Sequence, residues 1–223
     1  TMGVKVTIVE YMPQIMPLED EDTAKAMERA FRKLRATVMT STTVKQVSVR
    51  EDGKCVVEVE GKKGAQTLEA DIVLSAVGIK SNLENMGLEE LGVEIERDKV
   101  KVDEHYKTTL DGVYAIGDII ATPALAHVAS AEAIHCVEHI CGLNPEPVDY
   151  STIPSCIFTS PEVASVGLTE AQVKAQGIEY KVGKFPYTAS GKATAAGERD
   201  GFVKLIFDAE EKLLGAHFVG HNV

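Results

Sequence analysis

The chain has 223 residues, of which 44% are hydrophobic, and 23 Lys and Arg stand against 34 Asp and Glu for a formal net charge of −11. Such a composition supports one large or two ordinary globular domains, and the negative charge disfavours nucleic acid as a partner. No apolar run is long enough to cross a membrane, and the amino end lacks a secretory leader pattern. The four cysteines are too scattered for a disulfide scaffold, so we expect reduced thiols and a cytoplasmic protein.

The amino-terminal pattern predicts a strand, a helix and then more strands. The β-branched run 4–10 predicts the first strand, and Asp20 to Asp22 provide the cap and first-turn charge of a helix. Its apolar stripe consists of Ala24, Met27, Phe31 and Leu34. No glycine follows at Lys33 to Arg35, which predicts a strained or frayed helix end. The residue ranges 37–49, 55–59 and 67–77 predict the strands that follow.

Further along, residues 82–94 predict a short connecting helix, 112–118 a strand and 126–141 a helix. Pro145 and Pro147 mark a boundary. Beyond them, residues 165–168, 180–185, 201–207 and 213–219 predict short strands, interrupted by one helix that opens on a capping box of Thr169 and Gln172. The last two predicted strands finish at the end of the sequence with nothing after them to cover them, so this sheet is expected to be incomplete. The overall prediction is an α/β protein with a partial Rossmann-type domain and an α+β domain with an antiparallel sheet.

The segment GVYAIGD at 112–118 suggests a ligand site, because ligands of α/β sheets bind where strands end. Gly117 would let a ligand approach the backbone, and Asp118 would accept a hydroxyl hydrogen bond from a sugar or polyol. ALAHVASAE at 124–132 then predicts a helix start whose free amides face the same crevice.

Glu10 at the end of the first strand suggests a second site. In dinucleotide-binding units, an acid at the end of the second strand binds the adenosine ribose hydroxyls and disfavours the extra phosphate of NADP. No G-x-G-x-x-G occurs in the chain, so the phosphate loop is expected upstream of Thr1. Taken alone, a glutamate at the end of a strand is more often a surface carboxylate, so the assignment of Glu10 depends on its context.

Five strings in order carry a family resemblance. They are AVGIKSN at 76–82, GVYAIGD, ALAHVASAE, PEVASVGLTE at 161–170 and KVGKFPYTASGKA at 181–193. With them the sequence resembles the dihydrolipoyl dehydrogenases, flavoprotein members of the pyridine nucleotide disulfide oxidoreductases, over essentially all its length. Glu10 argues against the NADPH-linked glutathione reductase type. The string ALAH at 124–127 resembles dihydrolipoyl dehydrogenase more than mercuric reductase or soluble transhydrogenase.

The resemblance implies a role for each candidate residue. Asp118, beside Gly117, would bind a ribitol hydroxyl of FAD. The backbone of Ala124, Leu125, Ala126 and His127 would face the pyrimidine edge of the flavin, with no catalytic role for the His127 imidazole. For NAD, Glu10 would bind ribose, Val44 would lie against adenine, and Gly78 would let the backbone approach the dinucleotide.

The resemblance also implies an organisation. Residues 1–78 would form most of an NAD-binding domain, 79–147 an FAD-domain segment, and 148–223 part of a dimerisation domain. The whole enzyme would be a homodimer that serves the acyltransferase component of a 2-oxo acid dehydrogenase complex, or the glycine cleavage system. The redox C-x-x-x-x-C and the His-Glu pair of the family are not found in this chain, so we expect it to be inactive alone. Cys136 and Cys141 have the redox spacing but lie on a helix, where their side chains diverge.

Two alternatives come from other functional classes. HCVEH at 135–139 matches the H-x-x-E-H pattern of some zinc peptidases, with two imidazoles one helical turn apart. The helix-breaking Gly142, Pro145 and Pro147 leave no helix for a third ligand. The other alternative is a binding or dimerisation module without catalysis.

Overall fold

The computed structural model describes residues 3–223, so that residues 1 and 2 of the predicted NAD domain lie outside the described residues. The chain forms two compact units. The first contains residues up to Leu74 together with Pro154–Val223, and the second contains Ser75–Ile153. Both mix helices with β-structure, which confirms the predicted α/β class.

The first unit begins with a strand-helix-strand crossover. Strands β1 (Thr7–Val9) and β2 (Thr37–Met39) pair in parallel, and helix α1 (Glu21–Lys33) connects them. As predicted, Asp20 caps α1, because its side chain accepts a hydrogen bond from the Asp22 N–H at 3.0 Å. Strand β1 is shorter than the predicted strand 4–10.

The end of α1 behaves as its sequence predicts. Arg35 takes the left-handed conformation with φ +65°, which is strained for a residue other than glycine. The buried side of the helix consists of Thr23, Ala24 and Met27. Leu34, predicted in the apolar stripe, is exposed, since the helix ends at Lys33.

An antiparallel meander follows in the first unit. It consists of β3 (Thr43–Val49), β4 (Cys55–Gly61) and β5 (Gly64–Ala70). The predicted strand 67–77 is wrong beyond Ala70. Ile72 and Leu74 are 84% and 86% exposed, and no described strand pairs with them. Their β-branched and apolar character favours a buried strand, but a strand also needs a hydrogen-bonded neighbour.

The carboxyl-terminal part of the first unit is a five-stranded antiparallel sheet. Its strands are β8 (Ser155–Ile157), β9 (Glu162–Gly167), β10 (Tyr180–Pro186), β11 (Phe202–Asp208) and β12 (Leu213–Gly220), in the order β10-β11-β12-β9-β8. The last strand therefore lies inside the sheet, with α1 packed against it, and the expectation of uncovered final strands is wrong. The sequence could not reveal that β12 inserts between β11 and β9.

Two short helices belong to this part of the unit. Helix α3 (Glu170–Ala175) has the predicted capping box of Thr169 and Gln172. Helix α4 (Gly191–Ala196), capped by Ser190, was not predicted, because its sequence GKATAA lacks an apolar period. The strand β8 was also not predicted.

One buried lysine holds α1 on the sheet. Lys204 of β11 is 1% exposed, and its Nζ lies 2.8 Å from Asp20 Oδ1, 3.0 Å from Asp22 Oδ2 and 2.7 Å from Glu170 Oε2. Burial alone would lower the pKa of Lys204, but its hydrogen bonds to these carboxylates outweigh burial and raise it. Hydrogen bonds from Lys174 and Lys204 lower the pKa of Glu170 to about 2.

The second unit is built around the helix α2 (Ala126–Ile140) and a small hairpin of β6 (Ile95–Glu96) and β7 (Lys99–Val100). Its core consists of Val93, Val100, Tyr106, Ala115, Ile120 and Cys136. The helix has the predicted bounds to within one residue. The connecting helix predicted at 82–94 does not form, and turns occupy this range.

The predicted strand 112–118 is also wrong. Only Tyr114 makes a β-bridge, to Lys107, and Gly117–Ile119 is a 3-10 turn. Tyr114, Ala115 and Ile116 of this segment instead pack into the core of the unit.

No helix within residues 3–223 is both long enough and apolar enough to span a bilayer.

We predict that Lys204→Met destabilises the protein by about 3 kcal/mol or more, because it leaves the buried Asp20 carboxylate without its cation. Equilibrium urea unfolding measures this loss. The matched control is Lys45→Met, which removes an exposed ion pair with Glu60 and is expected to cost far less, because solvent screens such a pair. Equal losses of stability in the two variants would contradict the stabilising role of Lys204.

Candidate functional site

The Gly117–Asp118 turn presents one free carboxylate. Asp118 is exposed, and its side chain makes no hydrogen bond or ion pair with the part of the chain that the structure describes. Its backbone carbonyl, by contrast, accepts hydrogen bonds from Lys99 Nζ at 2.7 Å and from Ser81 Oγ at 3.2 Å. The backbone is therefore fixed while the carboxylate can accept hydrogen bonds from a hydroxylated ligand.

Gly117 is buried and has φ +72°, the left-handed region in which glycine is favoured. A Cβ at this position would lie 3.1 Å from the Cβ of Ala129 on α2. Its backbone N–H donates a 2.7 Å hydrogen bond to Glu132 Oε2, also on α2. The structure thus places the turn against the first two turns of α2.

The start of α2 is uncapped by any side chain. Leu125 occupies the N-cap position in an extended conformation without a side-chain hydrogen bond, and the first turn contains no acidic residue. Ala124, Ala126 and His127 are exposed. A 15-residue helix has partial positive charge at this end, which favours an electron-rich or anionic group.

Sequence reasoning missed Glu132. It is fully buried, and its Oε1 accepts a 2.9 Å hydrogen bond from the Tyr150 hydroxyl. The Tyr150 hydroxyl also lies 2.9 Å from that of Tyr106. Burial, together with the hydrogen bonds to Tyr106 and Glu132, raises the pKa of Tyr150, so its hydroxyl stays protonated. The signal that could have revealed it is a carboxylate between apolar positions of a predicted helix. Its partners Gly117 and Tyr150 are distant in sequence, so the network itself could not be predicted.

Glu10 follows β1 and is half-buried. Its Oε1 accepts the Met12 N–H at 2.7 Å, while its backbone N–H and carbonyl bond to Met39 and Thr42. Its Oε2 has no hydrogen-bond partner among residues 3–223, so an oriented carboxylate has one oxygen available. Val44 is the second residue of β3 and is 45% exposed.

Gly78 belongs to the second unit, whereas Glu10 and Val44 belong to the first. It is exposed, with φ +132°, and a Cβ there would meet no atom within 4 Å. The backbone at Gly78 is therefore open to a ligand.

The zinc alternative does not fit the geometry. His135 is buried, and its Nδ1 donates to the Glu146 carbonyl at 3.0 Å while its Nε2 lies 3.0 Å from His105 Nδ1. Both ring nitrogens are thus engaged, whereas a metal ligand needs one of them. No three His, Cys, Asp or Glu side chains in the described part of the chain are placed to hold a metal ion. Cys136 and Cys141 are free thiols, the first buried and the second exposed.

Family models match almost the whole chain. Residues 1–133 match the model described as pyridine nucleotide-disulphide oxidoreductase, and residues 153–223 match the dimerisation domain of the same proteins.

Similar proteins have the same character. The chain is 46% identical over 226 residues to the dihydrolipoyl dehydrogenase of Rhizobium etli, and 41% identical over 224 residues to that of Bacillus subtilis. These matches cover 100% and 99% of this chain but 47% of each relative, so the chain spans about half the length of the curated relatives it matches.

Solved structures are similar over the same range. LpdA of Mycobacterium tuberculosis has 27% identity and a TM-score of 0.84, covering 98% of this chain and 47% of that one. The HOCl-induced flavoprotein disulfide reductase RclA of Escherichia coli has 25% identity and a TM-score of 0.87, covering 99% and 50%.

We predict that Gly117→Ala destabilises the protein by about 1 kcal/mol more than Gly112→Ala. Both glycines have positive φ, +72° and +76°, so each variant bears the backbone strain of about 1–2 kcal/mol. Only Gly117 faces a close neighbour, since a Cβ at Gly112 meets nothing within 4 Å. Urea unfolding of the two variants tests the difference, and equal losses would show that the contact with Ala129 is unimportant.

Proposed function

The chain belongs to the pyridine nucleotide-disulphide oxidoreductase family, as its motifs indicated, and we propose that it is the central and carboxyl-side portion of an NAD-linked dihydrolipoyl dehydrogenase. In the whole enzyme, the dithiol of dihydrolipoamide would reduce a disulfide, and the electrons would pass through FAD to NAD. The observation that carries the proposal is the free Asp118 carboxylate on a turn fixed against the uncapped start of α2.

The residues of the second unit fit FAD. Asp118 would accept a ribitol hydroxyl, and Gly117 would let the ligand approach the backbone. The amides of Ala124 to His127 would face the pyrimidine edge of the isoalloxazine, where the helix N-terminus stabilises negative charge. FAD supplies the two-electron chemistry when bound, and the role of these residues is to bind and orient it.

The candidate NAD residues also fit their ligand. The free Oε2 of Glu10 can accept hydrogen bonds from ribose hydroxyls, and its charge would repel a 2′-phosphate. The exposed Val44 side chain offers apolar surface for adenine, and the open backbone at Gly78 allows close approach.

The wider organisation is part of the proposal. Residues 1–78 would belong to the NAD domain, 79–147 to the FAD domain and 148–223 to the dimerisation domain, with the whole enzyme a homodimer. The match of residues 153–223 to a dimerisation domain supports the homodimer. We further propose a cytoplasmic enzyme that serves a 2-oxo acid dehydrogenase complex, through its acyltransferase, or the glycine cleavage system.

A binding module without catalysis is the second candidate. The chain alone is expected to show no dihydrolipoamide oxidation, so activity must be sought in the full-length protein. There, yellow protein with flavin absorbance bands supports the flavoenzyme, whereas colourless oligomeric protein that takes up no FAD supports the module.

We predict that Asp118→Ala in the full-length enzyme weakens FAD binding at least about tenfold, because a charge-assisted hydrogen bond to the ribitol is lost. Titration of the apoprotein with FAD, followed by flavin absorbance, measures the dissociation constant. The control Asp111→Ala removes an exposed carboxylate that pairs with Lys107 and should leave the constant unchanged. An unaltered constant in Asp118→Ala would refute the assignment.

We also predict that Glu10→Ala reduces the preference for NAD over NADP about tenfold or more, because the carboxylate both binds the ribose and repels the phosphate. The ratio of kcat/KM for the two nucleotides in the full-length enzyme measures the preference. Glu60→Ala, at an exposed ion pair of β4, is the matched control. Unchanged selectivity in Glu10→Ala would exclude this role.

A further inference from the structure

Glu132 is a fully buried carboxylate without a lysine or arginine partner. In the described residues 3–223, no Lys or Arg nitrogen lies within ion-pairing distance of it. Its two oxygens are instead satisfied by two hydrogen-bond donors, the Gly117 N–H at 2.7 Å and the Tyr150 hydroxyl at 2.9 Å. A buried acid is costly unless it is hydrogen-bonded, so a purely structural position would favour an apolar residue.

The hydroxyl protons of the network have a defined direction. The Tyr150 hydroxyl donates its single proton to Glu132 Oε1. The Tyr106 hydroxyl, 2.9 Å away, must then donate to Tyr150. Tyr106 therefore donates to Tyr150, and Tyr150 donates to Glu132. The other oxygen of Glu132 accepts the Gly117 N–H.

Two side chains hold the backbone of the Gly117–Asp118 turn, Glu132 at one end and Lys99 at the other. Glu132 binds the N–H of Gly117, and Lys99 Nζ binds the carbonyl of Asp118 at 2.7 Å. An acidic and a basic side chain thus bind opposite ends of the Gly117–Asp118 dipeptide. These two bonds fix the backbone from which the Asp118 carboxylate projects.

We propose that Glu132, aligned by Tyr150 and Tyr106, is a positioning residue that sets the Gly117–Asp118 turn for flavin binding. This inference rests on the proposed function, because it takes the turn as part of the flavin site. Tyr150 acts through Glu132, and the residue is 37% exposed, so we expect its contribution to come from the hydroxyl rather than from buried packing.

The test measures flavin binding in the full-length enzyme. Tyr150→Phe removes one hydroxyl without changing the ring, and we expect the dissociation constant for FAD to rise about threefold to tenfold. Glu132→Leu removes both hydrogen bonds and is expected to raise it more than about thirtyfold. Glu132→Gln keeps an acceptor for the Gly117 N–H and should restore most of the affinity. Adding Tyr150→Phe to Glu132→Leu should have no further effect, because both act through one carboxylate.

A second readout separates positioning from simple stability. The wavelength and shape of the visible flavin band at FAD saturation report the geometry around the bound flavin, and we expect them to shift in Tyr150→Phe and Glu132→Leu but not in Glu132→Gln. Glu138→Leu and Glu138→Gln, on the same helix and outside this network, are the matched controls and should leave both readouts unchanged.

The outcomes distinguish this inference from the proposed function. If the wild-type protein fails to bind FAD, the proposed function is wrong. If it binds FAD, and Tyr150→Phe and Glu132→Gln both keep its dissociation constant and spectrum while Glu132→Leu shows only a lower unfolding midpoint, then the positioning role alone is wrong. If Glu132→Leu does not fold, Tyr150→Phe decides the matter by itself.

Discussion

The first unit depends on one buried cation. Lys204 binds Asp20 and Asp22 at the start of α1 and Glu170 at the start of α3, so residues separated by up to 184 positions meet at one ammonium group. Lys184 and Lys174 lie against Asp22 and Glu170, so that three cations face three carboxylates. A desolvated charge tolerates few alternative partners, and the ion cluster therefore fixes where α1 sits on the sheet.

The packing around this cluster follows from sheet register. Lys204, His217 and Ser165 are cross-strand partners on β11, β12 and β9, and therefore share the face of the sheet that α1 covers. The next row on the same face is Phe202, Val219 and Val163, which packs with Met27 of α1. Polar side chains thus lie under the charged start of the helix and apolar ones under its middle, in agreement with the amphipathic pattern of α1.

The second unit uses buried charge differently. Its carboxylate, Glu132, faces neutral donors rather than a cation, and it acts on a backbone group at a turn. The Lys204 cluster joins helices α1 and α3 to the sheet, whereas Glu132 fixes only the backbone of the Gly117–Asp118 turn. The difference bears on the proposed flavin site, because a group that binds a ligand must be held within about half an ångström of its productive position.

Local sequence determined the features that short-range chemistry controls: the Asp20 cap, the capping box of Thr169 and Gln172, the left-handed exit at Arg35, the bounds of α2, and the motifs that indicated the family. It did not determine whether residues 71–77 and 112–118 are strands, because strand formation depends on hydrogen bonds to distant segments. The position of β12 inside its sheet, the partners of Lys204 and the network of Glu132 were likewise decided only by tertiary structure. In each of these cases the stabilising partner lies far away in sequence, and no local pattern specifies which distant donor, acceptor or strand will reach it.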